Sequence, residues 1–270
     1  MAKIFDGKSR IVPTWLEASR YLEHSGRTGT NLVLEISDIY TLTDQDRALI
    51  NKINQMLEAK TNLTVQTVAS TIFPLGLYKK SANREQLYSE YKRIMVRGKS
   101  KGTWGTYFGR LIERVTPEGV MCNPLELLIR RLNTNSHNDQ YFTSCYEAGV
   151  SIPSSDLLKI ADYFEGDLPI YNPSTDSKRW YGGPCLSHIS FKTVKEDGIS
   201  KLNMTAIYRS HHYCTRALGN LIGLGQLLSF VAKNSNQKVG KLTCISTHAE
   251  LDIGAWSGVS NTHNILGTEI

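Results

Sequence analysis

The stretch from Leu186 to Tyr208 constrains this chain more than any other. Leu186 to Val194 and Lys201 to Tyr208 are strand-like runs, and between them stands Glu196-Asp197-Gly198. An Asp-Gly pair accepts the positive φ angles that a tight hairpin turn demands, so the two runs are predicted to pair antiparallel. After them Leu218, Leu221, Ile222, Gly225, Leu228, Ser229 and Ala232 trace one face of a helix with little charge inside it, which predicts a largely buried helix. Lys233 to Lys238 ends that helix, and Lys241 to His248 reads as a last strand before a short tail.

Upstream, Trp15, Leu16, Tyr21 and Leu22 recur at helical spacing between Pro13 and His24, with Pro13 suited to a first turn. A turn from Ser25 to Gly29 follows, then a short Leu/Val/Ile-rich strand from Asn31 to Ile36. Helical patterns cover Asp44 to Leu57, Val65 to Phe73 and Glu85 to Arg97. Gly98, Gly102, Gly105 and Gly109 break the pattern before a helix at Pro124 to Leu132. Tyr141 to Tyr146 is strand-like, and Ser154-Ser155-Asp156 opens a helix over Pro153 to Tyr163. No internal repeat, linker or low-complexity segment divides residues 1–270, so a single domain is expected.

Hydrophobic residues at 40% and charged residues at 21% describe a globular chain rather than a disordered or fibrous one. No apolar run reaches the roughly 18 residues of a membrane span, and MAKIFDGKSR lacks a signal-peptide apolar stretch. A cytoplasmic protein with no membrane partner is the expectation. Cys122, Cys145, Cys185, Cys214 and Cys244 are an odd number with no CxxC pair, which argues for free thiols. A net charge of +6 favours anionic partners, and nucleotide phosphate and nucleic acid satisfy it equally. No basic run of the nucleic-acid-binding type stands out.

Cys185, in Gly182-Gly183-Pro184-Cys185, would on its own read as a buried small hydrophobe. Its neighbours change that. The Gly-Gly-Pro turn leaves the thiol at a strand edge, and the partner strand ends in Arg209-Ser210, an anion-binding pair. A guanidinium near the thiol favours the reactive thiolate. Asn220, inside an apolar helix, needs polar partners and is either a structural bridge or a ligand reader. His248 taken alone is an interior histidine, and His211-His212 a polar loop or, less readily, metal ligands.

Pro184-Cys185-Leu186, Tyr208-Arg209-Ser210, Asn220 eleven residues after the arginine, and Ser246-Thr247-His248 together resemble the catalytic half of thymidylate synthases. Leu186 after the cysteine and Ile245-Ser246-Thr247-His248 are similar to the archaeal-type branch. The likeness extends through Tyr171-Asn172-Pro173, Gly105-Thr106-Tyr107-Phe108-Gly109-Arg110 and Arg27-Thr28-Gly29-Thr30. It implies an α+β fold, a large mixed or antiparallel sheet with helices on one side, and a homodimer. It also implies a pyrimidine nucleotide substrate, with Cys185 adding to C6 of a uracil-type base while Arg27, Arg209 and Ser210 hold the phosphate. Asn220 reads the base edge, since an amide accepts from N3–H and donates to O4, and His248 holds the sugar hydroxyl. The activated C5 then takes a one-carbon unit from a reduced folate or methanopterin in its 5,10-methylene form, giving a methyl or hydroxymethyl product. No metal is expected.

Several positions depart from the family pattern. The adjacent arginines that relatives donate across the dimer are replaced by Asp139-Gln140-Tyr141-Phe142, and Arg130-Arg131 lies upstream on a predicted helix. His212 stands for an aspartate that organises base and cofactor, Glu250 for a tyrosine of the sugar pocket, and Tyr208 for a residue that is often glutamine. Arg216 and Cys214 occupy small or apolar positions of the cofactor cleft. Glu85 aligns with the family's general base only loosely, and reads better as an exposed helix charge. Two further readings therefore accompany the transferase: a nucleotide-binding homologue without transfer chemistry, and a folate-independent nucleotide-processing enzyme.

Overall fold

The computed structural model describes residues 2–98, 105–115, 119–137, 168–169 and 184–270. In chain order the first elements are β1 (Lys3–Phe5), α1 (Ile11–His24), β2 (Thr28–Ile36), α2 (Asp44–Ala59), α3 (Val65–Ile72) and α4 (Leu75–Tyr78). Next come α5 (Arg84–Gly98), α6 (Tyr107–Ile112), β3 (Arg114–Val115), β4 (Met121–Cys122), α7 (Pro124–His137) and β5 (Leu168–Pro169). The chain closes with β6 (Leu186–Glu196), β7 (Ile199–Tyr208), β8 (His211–His212), a π-turn at Tyr213–Ala217, α8 (Leu218–Asn234), β9 (Lys238–Glu250), a 3-10 turn at Ile253–Trp256 and α9 (Val259–Leu266).

The fold is α+β, as expected. Its seven-stranded sheet runs β1-β2-β9-β7-β6-β5, with β8 alongside β9. It is mixed: β1 pairs parallel to β2 and β8 parallel to β9, whereas β2 runs antiparallel to β9 and β5 antiparallel to β6. The hairpin forms as predicted, with Asp197 and Gly198 at φ 52° and 76°. Other boundaries needed correction. β2 begins at Thr28, inside the segment read as a turn, because β9 is longer than predicted and pairs Thr28 with Glu250. The short tail carries the 3-10 turn and α9, with Trp256, Ile265 and Leu266 buried. Gly109 lies inside α6 rather than in a break: Thr106 caps that helix by accepting from the Gly109 amide at 3.1 Å. The predicted strand at Tyr141 to Tyr146 and helix at Pro153 to Tyr163 lie outside the described residues, as do Tyr171-Asn172-Pro173 and Asp139-Gln140-Tyr141-Phe142.

The chain forms two compact units. The first comprises Met1–Ser70, Thr205–Leu227 and Lys241–Ile270, and the second Thr71–Met204 and Leu228–Gly240. The first unit's core joins Trp15, Leu16 and Leu22 of α1 to Leu32, Leu34 and Ile36 of β2 and to Leu221 and Leu224 of α8, all buried. Gly219 allows α8 to approach α3 closely: a Cβ there would stand 2.7 Å from the Val65 carbonyl oxygen and 2.6 Å from the Val68 side chain. The second unit is built on aromatic contacts, with Phe73 at 4.9 Å from Phe230 and edge-on to Phe108, which in turn meets Tyr91. Arg84 donates to both carboxylate oxygens of Glu126 at 2.9 and 3.0 Å, fixing α5 against α7.

Candidate active site

In the second unit, Cys185 precedes β6 and is half-buried. Its backbone N–H donates to the Tyr107 hydroxyl at 3.1 Å, and the Leu186 N–H reaches the same oxygen at 3.3 Å. One phenol at the start of α6 thus holds two successive amides of the thiol-bearing turn. The motif Gly105 to Arg110 was legible in the sequence; that its tyrosine anchors this turn was not. Arg130, on α7, pairs with Glu126 at 3.0 Å, and Glu85 is an exposed charge in the first turn of α5.

The first unit holds the other candidates. Thr247 donates from its hydroxyl to the carbonyls of Tyr208 and Arg209 at 3.2 and 3.1 Å, so the Arg209-Ser210 turn is tied to β9 beside His248. Arg209 and His248 are exposed and Ser210 is half-buried. His248 is therefore not the interior histidine that the residue alone suggested. Antiparallel register pairs His248 with Thr30 and Glu250 with Thr28. Arg27, at φ 69°, closes α1 with its amide donating to the Leu22 carbonyl at 2.8 Å.

Asn220 is buried at 4% exposure, and its amide Nδ2 lies 3.1 Å from Nε2 of His211. With the amide N–H donating, Nε2 accepts and Nδ1–H of the same ring donates to Ser246 Oγ at 2.9 Å. Tyr213 shares that hydroxyl at 3.4 Å, and Tyr208 stacks flat on the imidazole at 4.0 Å. His211 is thus no part of a polar loop but the centre of a buried polar chain. Burial, followed by the charge of His212, drives its pKa down to about 3.

A buried neutral histidine predicts acid sensitivity. The unfolded chain binds the His211 proton near its ordinary value while the folded chain does so only near 3, so stability falls as pH drops through that window. The slope from this residue is at most about 1.4 kcal/mol per pH unit. Urea unfolding at pH 7 and pH 4.5 should show a loss smaller by about 2 kcal/mol in His211→Gln than in the parent chain; equal losses would contradict a neutral buried ring.

His212 lies beside Asp252, Nδ1 to Oδ2 at 3.6 Å. Contact with that carboxylate raises the His212 pKa above its usual range. Asp252 also accepts from the Cys214 amide at 2.7 Å and the Thr215 hydroxyl at 2.6 Å, which caps the π-turn. Burial pushes the Asp252 carboxyl up, but the donors from His212, Thr215 and Cys214 outweigh it and hold the group below its usual value. Asp252 was missed in the sequence because no periodicity or motif marks it.

Arg27, Lys60, Asn62, Thr215, Glu250 and Asp252 contribute to a cleft of about 600 Å³ in the first unit. Among the described residues, no cluster of His, Cys, Asp and Glu could hold a metal ion, and no helix is long and apolar enough to cross a membrane. Cys122, Cys185, Cys214 and Cys244 are free thiols. Burial pushes Cys214 upward and Cys244 up to about 12, leaving both as protonated core residues.

No protein-family model matches the sequence. Over 78 residues the chain is 36% identical to a protein of Methanosarcina barkeri (strain Fusaro / DSM 804) named "Putative thymidylate synthase". The match covers 29% of this chain and 34% of that protein, so the chain spans about a third of the length of the relative it matches. This partial likeness points to the thymidylate synthases at the level of the family.

Proposed function

We propose that this chain is a thymidylate synthase-like transferase that modifies C5 of a uracil-type nucleotide after Cys185 adds to C6. The observation that carries the reading is the partial identity to the Methanosarcina barkeri protein, joined to the spacing of Cys185, Arg209, Ser210 and Asn220. Addition of the thiolate to C6 moves electron density onto C5 and O4, which makes C5 nucleophilic toward a one-carbon electrophile. Loss of the C5 proton would release the one-carbon carrier and leave an exocyclic methylene at C5; addition of a hydride from the reduced carrier, or of water, to that methylene with expulsion of the thiolate would give methyl or hydroxymethyl. In this reading Arg27, Arg209 and Ser210 bind the phosphate and His248 a sugar hydroxyl. Asn220 reads the base with its amide oxygen and its second N–H, the first N–H being given to His211.

A reduced folate or methanopterin would be held at His212, whose Nδ1 faces the Asp252 carboxylate and whose Nε2 is left to meet the amide-like edge of a pterin. When bound, that group would supply the one-carbon unit. We further propose a homodimer acting on a free nucleotide, which light scattering after gel filtration would test.

The direct test is mass spectrometry of the intact protein after incubation with 5-fluorouridylate or 5-fluoro-deoxyuridylate and methylene-tetrahydrofolate. A covalent adduct on Cys185 is expected. Nucleotide binding without any adduct would favour the alternative, a homologue that has lost transfer, for which the replacement of the family's aspartate by His212 is the supporting observation.

A further inference from the structure

The cleft of the first unit carries charges of both signs that do not neutralise one another. Arg27 and Lys60 line it as exposed cations, and Glu250 lines it as a half-buried carboxylate. Among the described residues, none of these three side chains makes a hydrogen bond or an ion pair. Asp252, by contrast, is consumed by the Cys214 amide and the Thr215 hydroxyl. The cleft therefore offers two cations for an anion and one carboxylate that stands opposite His212 in the β8–β9 register and acts on it electrostatically without a hydrogen bond, so its oxygens accept from a ligand and donate nothing.

The placement of Glu250 is set by the sheet. Ala249 and Leu251 are buried, which turns His248 and Glu250 outward on a common side of the strand end. Cross-strand register puts Glu250 opposite Thr28, the residue after Arg27, so acid and cation sit at one end of the β2–β9 ladder. A single ligand reaching both carries an anionic group together with hydrogen-bond donors, and the hydroxyls of a sugar phosphate are of that kind. A cleft of about 600 Å³ is of the size that takes a nucleoside monophosphate.

We propose that this cleft binds a 5-phosphorylated ribose in preference to its 2-deoxy counterpart, with Arg27 and Lys60 on the phosphate and Glu250 accepting from the vicinal hydroxyls. Two adjacent hydroxyls match the two oxygens of one carboxylate, and a deoxy sugar leaves one oxygen without its donor. The proposal rests on the nucleotide reading only for its choice of uridylate as a probe, since the sugar phosphate alone carries the recognised groups.

Calorimetric titration of the full chain with uridylate, deoxyuridylate, ribose 5-phosphate and 2-deoxyribose 5-phosphate tests it. The ribo member of each pair should bind about tenfold tighter or more. Glu250→Gln, which keeps the shape and removes the charge, should bring each ratio close to one, whereas Lys60→Gln should weaken both members alike. Equal affinity in the parent chain, no binding of either sugar phosphate at millimolar concentration, or a ratio untouched by Glu250→Gln would overturn the proposal. Because no probe requires Cys185, a ribose preference without an adduct removes the transferase reading alone. An adduct without a ribose preference removes only this one.

Discussion

Cys185→Ser is expected to abolish tritium release from 5-tritiated uridylate or deoxyuridylate in the presence of methylene-tetrahydrofolate, by about 10⁴-fold or more. A serine hydroxyl is a far weaker nucleophile than a thiolate at neutral pH, and without covalent addition at C6 the C5 proton is not labile. The fold should hardly notice the change. The two groups differ little in size, the residue is half-buried, and the Tyr107 hydroxyl engages its backbone amide rather than its side chain. Binding of the nucleotide, measured by calorimetry, should therefore persist in the variant. Release unchanged from the parent would remove Cys185 from the reaction.

Asp46→Ala should produce the largest loss of stability, about 3 kcal/mol or more, equivalent to a fall in Tm of roughly 6–12 °C. Asp46 is fully buried, at 0% exposure. Its carboxylate accepts from the Thr43 amide at 2.8 Å while its own amide donates to the Thr43 hydroxyl at 3.1 Å, closing the capping box of α2. The same carboxylate pairs with Arg10, the residue that precedes α1 and bridges to Asp38. Alanine keeps the backbone N–H that the Thr43 hydroxyl caps, but it removes the carboxylate half of the capping box and strands the largely buried guanidinium together. Asp46→Asn keeps an acceptor for the Thr43 amide and loses only the charge, so thermal denaturation should place it between the parent and Asp46→Ala. Equal melting of the alanine variant and the parent would show the pair to be dispensable.

The hairpin at Asp197-Gly198, the long apolar helix α8 and most of the N-terminal helices were legible because each is governed by local chemistry. An Asp-Gly pair tolerates positive φ wherever it stands, and a helix with apolar residues on most of its face has only an interior to go to. β1, β3 and β4 were missed since they are two or three residues long and exist only through their partners: β1 is held by pairing with Leu32 to Leu34. The extension of β9 to Glu250 was missed for the same reason, because its last residues pair with Thr28 and Gly29 across the sheet. Likewise, α9 has too few turns for its periodicity to stand out, and its burial is a tertiary fact.

Of the candidate site, residue type and spacing singled out Cys185, Arg209, Ser210 and Asn220, and the resemblance to thymidylate synthases added Arg27 and His248. Spacing could not say what each would touch. Asn220 was either a bridge or a reader, and its environment supplies a bridge on one side, through the imidazole of His211 to Ser246. His211 and His212 are adjacent in sequence and opposite in character: one is a buried neutral ring beneath Tyr208, the other a half-exposed imidazole backed by Asp252. Burial and partners decide a histidine's charge, and neither is written in the residues beside it. The sequence by itself determined which residues were capable of chemistry and which local segments could form. Tertiary structure alone decided that Arg27, Lys60 and Glu250, far apart along the chain, line one cleft. Strand register and packing draw together groups that no local pattern relates.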